Sequence, residues 1–103
     1  MKKPKLTAAD EKFIKDFLNL DEKDFDTGTI KRSNRFTGEE FEVSPIEARA
    51  IDFVYTVEGV FGNEAALKRI SPNLTVGNAV QKFDRARMLV LKLNPSAYMG
   101  ILD

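Results

Sequence analysis

Carboxylates crowd the stretch DEKDFD at Asp21 to Asp26, and Asp26-Thr27-Gly28 is the tripeptide of aspartic proteases. Those enzymes work by two aspartates sharing one proton, so a second aspartate must come from a second copy of the motif. They also hold the tripeptide after an apolar strand in an all-β fold. Here it follows charged residues and precedes helical patterns. An EF-hand loop counted from Asp24 puts Thr29 where its glycine must stand and Arg35 where its bidentate glutamate must stand. The phosphatase-type order Asp-x-Asp-Gly-Thr is broken by Thr27. The stretch reads as a solvated turn, with weak magnesium binding by Asp21, Asp24 and Asp26 the most its spacing allows.

The chain has no histidine and no cysteine. Histidine-dependent triads, thiol nucleophiles, disulfides and the usual zinc ligand sets are thereby excluded. No glycine-rich phosphate loop with a lysine occurs. TVGNAV, at 75–80, offers a single glycine in the first turn of a helix, a weak anion signal. The expectation is a protein that is not an enzyme, with no catalytic residue, metal site or cofactor.

A different chemistry is outlined by NEAALKRISPNLTVGNAVQKFDRAR, residues 63–87. Helix, short connection and helix, with bases late in the second, is the outline of helix-turn-helix DNA readers. Asn78, Lys82, Arg85 and Lys92 fall on the side of the last long helix away from its apolar stripe, and they are the candidate nucleic-acid contacts. Ile70-Ser71-Pro72 stands where that motif has its turn glycine. A solvated basic face is the simpler reading on a molecule of zero net charge. Arg87 differs, because it lies about 40° from Phe83 at 100° per residue and so needs a partner inside the apolar stripe.

The charges alternate in blocks along 103 residues. A basic segment, Lys2, Lys3 and Lys5, opens the chain. An acidic block follows to Asp26, then Lys31, Arg32 and Arg35, then a second acidic block to Glu58, then a mildly cationic C-terminal half. The length suits one domain, expected over 7–103 behind a flexible basic tail at 1–6. No apolar run is long enough to span a membrane, and MKKPKL has no apolar segment behind it, so a cytoplasmic protein is expected.

These residues must be positioned by local elements. Thr7 with Asp10 caps a helix over about 8–19 whose apolar face is Phe13, Ile14, Phe17 and Leu18. Gly38-Glu39 suits a type II′ turn in a hairpin over about 30–43, setting Phe36 opposite Phe41 and Arg35 opposite Glu42. Ser44-Pro45-Ile46-Glu47 is an N-cap, a first-turn proline and a capping box in sequence. It starts a helix over about 45–58 with one face of Ile46, Ala50, Phe53, Val54 and Val57, continued by Phe61. Ala48, Ile51 and Tyr55 give that helix a second apolar side, which the first helix, the hairpin or another subunit must cover. Further helices are expected over about 64–70 and 75–93. The fold class is mainly α (α+β): helix, β-hairpin, then a bundle of two long helices and one or two short ones.

The pattern Asn34-Arg35-Phe36-Thr37-Gly38-Glu39, then Val43-Ser44-Pro45 and an amphipathic helix, resembles a segment of short uncharacterised proteins of tailed bacteriophages. The resemblance covers residues 34–55 and implies no activity. It implies a phage accessory protein, in the host cytoplasm. The functional expectation is a non-enzymatic protein-binding module, a homo-oligomer or bound to another protein, with Ile51, Tyr55, Met88 and Leu89 as contacts. The last of these lie in MLVLKL, 88–93, which AYMGIL, 97–102, must fold over if it is not to stay exposed. The alternative is the nucleic-acid binder using Asn78, Lys82, Arg85 and Lys92.

Overall fold

Thr7 opens the first helix as its capping pattern requires. Its hydroxyl accepts from the Asp10 N–H at 3.1 Å, and the Asp10 carboxylate accepts from the Thr7 N–H at 3.0 Å. The structure is a computed structural model describing residues 6–25 and 28–102, the side chain of Glu22 apart. The basic segment 1–5 and the Asp26-Thr27 part of the protease-like tripeptide lie outside the described residues. Helix α1, Ala8–Phe13, widens into a π-helical turn, Ile14–Leu18, and ends at Asn19 in the left-handed region with φ 55°. The Asp16 carbonyl at this helix end accepts from the Ser71 hydroxyl at 3.0 Å and the Asn73 amide at 2.9 Å, supplying partners that a helix terminus lacks.

Strands β1, Ile30–Ser33, and β2, Glu40–Val43, pair antiparallel with Ile30 opposite Val43 and Arg32 opposite Phe41. The expected two-residue turn is therefore corrected to a longer loop. Asn34 causes the change: its side-chain oxygen accepts from the N–H groups of Phe36 and Thr37 at 2.7 and 2.9 Å, folding the chain before it reaches Gly38. The Gly38 N–H then bonds the Asn34 carbonyl at 2.8 Å, with Gly38 at φ +76°. The register moves by an even number of residues, so faces are kept. Val43 still points into the core and Lys31 replaces Arg35 opposite Glu42. Phe36, expected to pair with Phe41, is 84% exposed at the loop tip.

Helix α2, Pro45–Glu58, begins with the expected box. The Ser44 hydroxyl accepts from the Glu47 N–H at 3.2 Å and donates to the Glu47 carboxylate at 2.8 Å. Glu47 is buried because its carboxylate also accepts from the Asn94 side chain at 2.8 Å, tying the start of α2 to the end of α4. Helix α3, Glu64–Ile70, is capped by Asn63. Helix α4, Ala79–Leu93, begins four residues later than its periodicity predicts. Thr75 and Asn78 exchange side-chain-to-backbone bonds at 2.8 and 3.1 Å and close a separate turn first. Val76, within that turn, and Val80, in the first turn of α4, are exposed. Helix α5, Pro95–Ala97, runs into a second π-helical turn, Tyr98–Leu102.

The molecule is a mainly α, α+β fold in which α2 is the central element. Helix α4 packs along one side of it; the π-turn after α1 and the hairpin cover the other. Ala50 and Ile51 are fully buried between these layers, and Phe13 meets Phe53 edge-on at 5.8 Å. The second apolar side of α2 is thus covered by the chain itself. The C-terminal turn folds back against α4, the hairpin and α2, but not over Met88 and Leu91. The Asn34 amide donates to the Gly100 carbonyl at 2.8 Å, the Tyr55 hydroxyl donates to the Ile101 carbonyl at 3.2 Å, and Gly100 lies against the Phe41 ring. Met88, Leu91 and Met99 remain exposed. Among the described residues no helix is long and apolar enough to cross a membrane.

Candidate functional site

The basic face of α4 does not project into open solvent. Helix α1 and its π-turn run beside it, and between them lies a groove of about 580 Å³. Its floor is Phe13, Phe17 and Leu89, all buried, and Met88, 42% exposed, stands at its lip. Its rim is charged: Asp10, Lys12 and Asp16 from one side, Lys82, Asp84, Arg85 and Lys92 from the other.

Asp10 organises this rim. Besides capping α1, its carboxylate accepts from Lys92 at 2.6 Å and Arg85 at 3.3 Å. The Asp10 side chain is 11% exposed, whereas Arg85 and Lys92 are 41% and 35% exposed, so a buried anion holds two half-solvated cations. Burial pushes the Asp10 carboxyl up. The Lys92 hydrogen bond, the bonds with the Thr7 backbone and hydroxyl, and the Lys92 charge outweigh it and hold the group below the usual aspartate range. A carboxylate so stabilised is a structural anchor and a poor proton acceptor at neutral pH.

Lys82 is placed differently. Its ammonium lies 4.9 Å over the Phe17 ring, and it meets no carboxylate among the described residues. The other rim acids are already answered: Asp16 by Lys12 at 3.4 Å and Asp84 by Arg87 at 3.4 Å. The remaining charge in the groove is positive, on Lys82 and shared between Arg85 and Lys92.

Of the candidate nucleic-acid contacts, the structure brings Lys82, Arg85 and Lys92 into one groove. Asn78 is apart, its side chain engaged by the Thr75 N–H and the Asn73 carbonyl. Of the candidate partner contacts, Ile51 and Leu89 are 0% and 3% exposed, so Ile51 offers no surface and Leu89 only a groove floor. Tyr55 is half-buried under the Arg35 guanidinium, 4.7 Å from its ring centroid, and its hydroxyl is engaged by Ile101. Burial pushes the Tyr55 hydroxyl up; Arg35 lowers it, and Glu58 and Asp52 raise it further. Arg87 finds a carboxylate partner in Asp84 and, beyond what was expected, donates to the Tyr98 hydroxyl at 3.1 Å. Asp10, Phe13 and Phe17 are the site residues that sequence reasoning assigned only to capping and core.

No three carboxylates among the described residues cluster closely enough to hold a metal ion. Compared with known proteins, the chain matches no family model, no curated protein and no solved structure.

Proposed function

We propose that the chain is a small non-enzymatic protein-binding module, an accessory protein of the kind its phage-like segment implies, acting in the cytoplasm through the groove between α1 and α4. The observation that carries this reading is the groove's construction: an aromatic and aliphatic floor, a methionine at the lip and a charged rim. Protein contact patches have that anatomy, with apolar anchors seated at the centre and polar groups at the edge. Met88 suits such a lip because a flexible thioether adapts to a partner's shape.

The nucleic-acid reading is less well supported. Phosphate contacts draw on cations free to exchange counterions, and Arg85 and Lys92 are already drawn onto Asp10. Of the groove's cations, Lys82 alone stands clear of the described carboxylates, and one such cation is too few to track a phosphate backbone.

The test is a differential capture from the native host, followed by mass spectrometry. Met88→Asp places a charge at the lip, while Phe36→Ser removes an exposed aromatic elsewhere. A protein retained by wild type and Phe36→Ser but lost by Met88→Asp supports the reading. Equal capture by all three, or recovery of nucleic acid alone, overturns it.

A further inference from the structure

We propose that the occupant of the α1–α4 groove is an acidic amphipathic helix. Its apolar face would rest on Phe13, Phe17, Leu89 and Met88, and a carboxylate would meet Lys82. This rests on the protein-binding reading above and adds the chemistry of the partner.

Charge selects the sign. Within the groove Lys12 and Asp16 answer one another, and Asp84 is taken by Arg87. Asp10 carries one negative charge against two cations, Arg85 and Lys92. Lys82 has only the face of Phe17 beneath it. A lysine over an aromatic ring keeps the outer side of its ammonium open to an anion, and a carboxylate arriving there completes a ring–ammonium–carboxylate stack. A basic segment would instead meet Lys82, Arg85 and Lys92 with no unanswered acid among the described groove residues.

Geometry selects the shape. The α4 wall runs from Gln81 to Lys92, about 16 Å at 1.5 Å per residue, and the α1 wall is of similar length. That matches three turns of a third helix lying along the other two, with apolar side chains at i, i+3, i+4 and i+7 facing the floor. Small ligands favour enclosure of most of their surface. This groove is flanked by half-exposed Lys82 and Arg85 and exposed Met88, and so stays open along its length.

Three synthetic peptides of about four helical turns test this: an acidic amphipathic sequence with leucine and phenylalanine on one face, the same apolar face with lysine replacing glutamate, and a scramble of the acidic one. Binding is followed by fluorescence anisotropy and by amide chemical shifts of the full chain. The acidic amphipathic peptide should bind saturably and shift resonances within 7–17 and 81–92. Its affinity should fall at least about tenfold in Lys82→Glu and fall on raising salt from about 0.1 to 0.5 M. Circular dichroism establishes that Lys82→Glu is folded, and the wild-type shift map is independent of that variant. Equal or tighter binding of the basic peptide in the groove overturns the acidic partner and leaves the protein-binding reading standing. Displacement of the acidic peptide by a single-stranded oligonucleotide assigns the cations to nucleic acid and overturns both. Absence of groove shifts with all three peptides at millimolar concentration also overturns both. A dimer that buries the groove and is dissociated by Met88→Asp gives the surface to a second copy and overturns the acidic helix.

Discussion

Replacing Asp10 by asparagine removes a buried charge while keeping the shape. One amide oxygen can still accept from the Thr7 N–H, so the helix cap survives in part. The two charge-assisted bonds, from Lys92 at 2.6 Å and Arg85 at 3.3 Å, cannot both survive. A hydrogen bond to a charged group contributes about 1.5–3 kcal/mol. Here both cations are more than a third exposed and can turn to water, so the loss is discounted to about 1–3 kcal/mol in total. For a domain of this size that lowers Tm by roughly 5–15 °C. The pH dependence distinguishes charge from packing. The folded-state pKa of Asp10 is depressed, so its contribution is fully present above the unfolded value of about 3.9 and is lost as pH falls through the folded value. Thermal melts of wild type and Asp10→Asn should differ by a constant amount between about pH 5 and 8 and converge in stronger acid. A difference that persists unchanged at about pH 2, or one below about 0.5 kcal/mol at pH 7, would refute the anchoring role of the carboxylate.

Three further substitutions probe the frame that holds the groove. Gly100→Ala puts a Cβ into the Phe41 ring, and calorimetry should show a loss of about 1–3 kcal/mol, with the C-terminal turn exchanging amide hydrogens faster. A Cβ at Gly38 meets no neighbour, but Gly38→Val must hold φ +76°, so denaturant melts should report about 1–2 kcal/mol from backbone strain. Ser44→Ala leaves the Glu47 N–H without its cap and should cost about 1 kcal/mol, while peptide binding in the groove, which Ser44 does not line, should keep its affinity.

Features set within a few residues were legible in the sequence. The Thr7–Asp10 and Ser44–Glu47 boxes, the first-turn Pro45 and the apolar stripe of α2 depend on spacing alone, and all are present. The hairpin's existence was legible, but its register was not. Gly38-Glu39 carries the signature of a tight turn, yet Asn34 folds the loop from the other end, and its amide is fixed by a carbonyl at Gly100, 66 residues away. Nothing local weighs those two preferences against each other. The start of α4 failed similarly, because Thr75 and Asn78 satisfy each other before the helix begins.

The groove was half legible, and the missing half is tertiary. Helical spacing grouped Lys82, Arg85 and Lys92 correctly and separated them from the apolar stripe. A polar helix face is ordinarily a solvent face, and no periodicity says that another helix lies along it. Helix α1 with its π-turn covers 11 residues, Ala8–Leu18, against 15 in α4. At 1.5 Å per residue it is shorter by about 6 Å. Helix α1, held beside α4 by the charge cluster at Asp10 and by Lys82 over the Phe17 ring, leaves a channel between the two. Asp10 thereby serves two ends: the same carboxylate that starts α1 sets its spacing from α4. Loss of that carboxylate should therefore loosen the groove as well as the fold. Asp10→Asn should weaken the acidic peptide if the rim must be held in place, or strengthen it if the released Arg85 and Lys92 are recruited to the ligand. The electrostatics favour strengthening, because removing an anion that competes for two half-exposed cations leaves them to the incoming carboxylates. Titration of the peptide into Asp10→Asn at a temperature where the variant is fully folded decides between these outcomes. A weaker complex at unchanged fold would mean that Asp10 acts on binding through geometry.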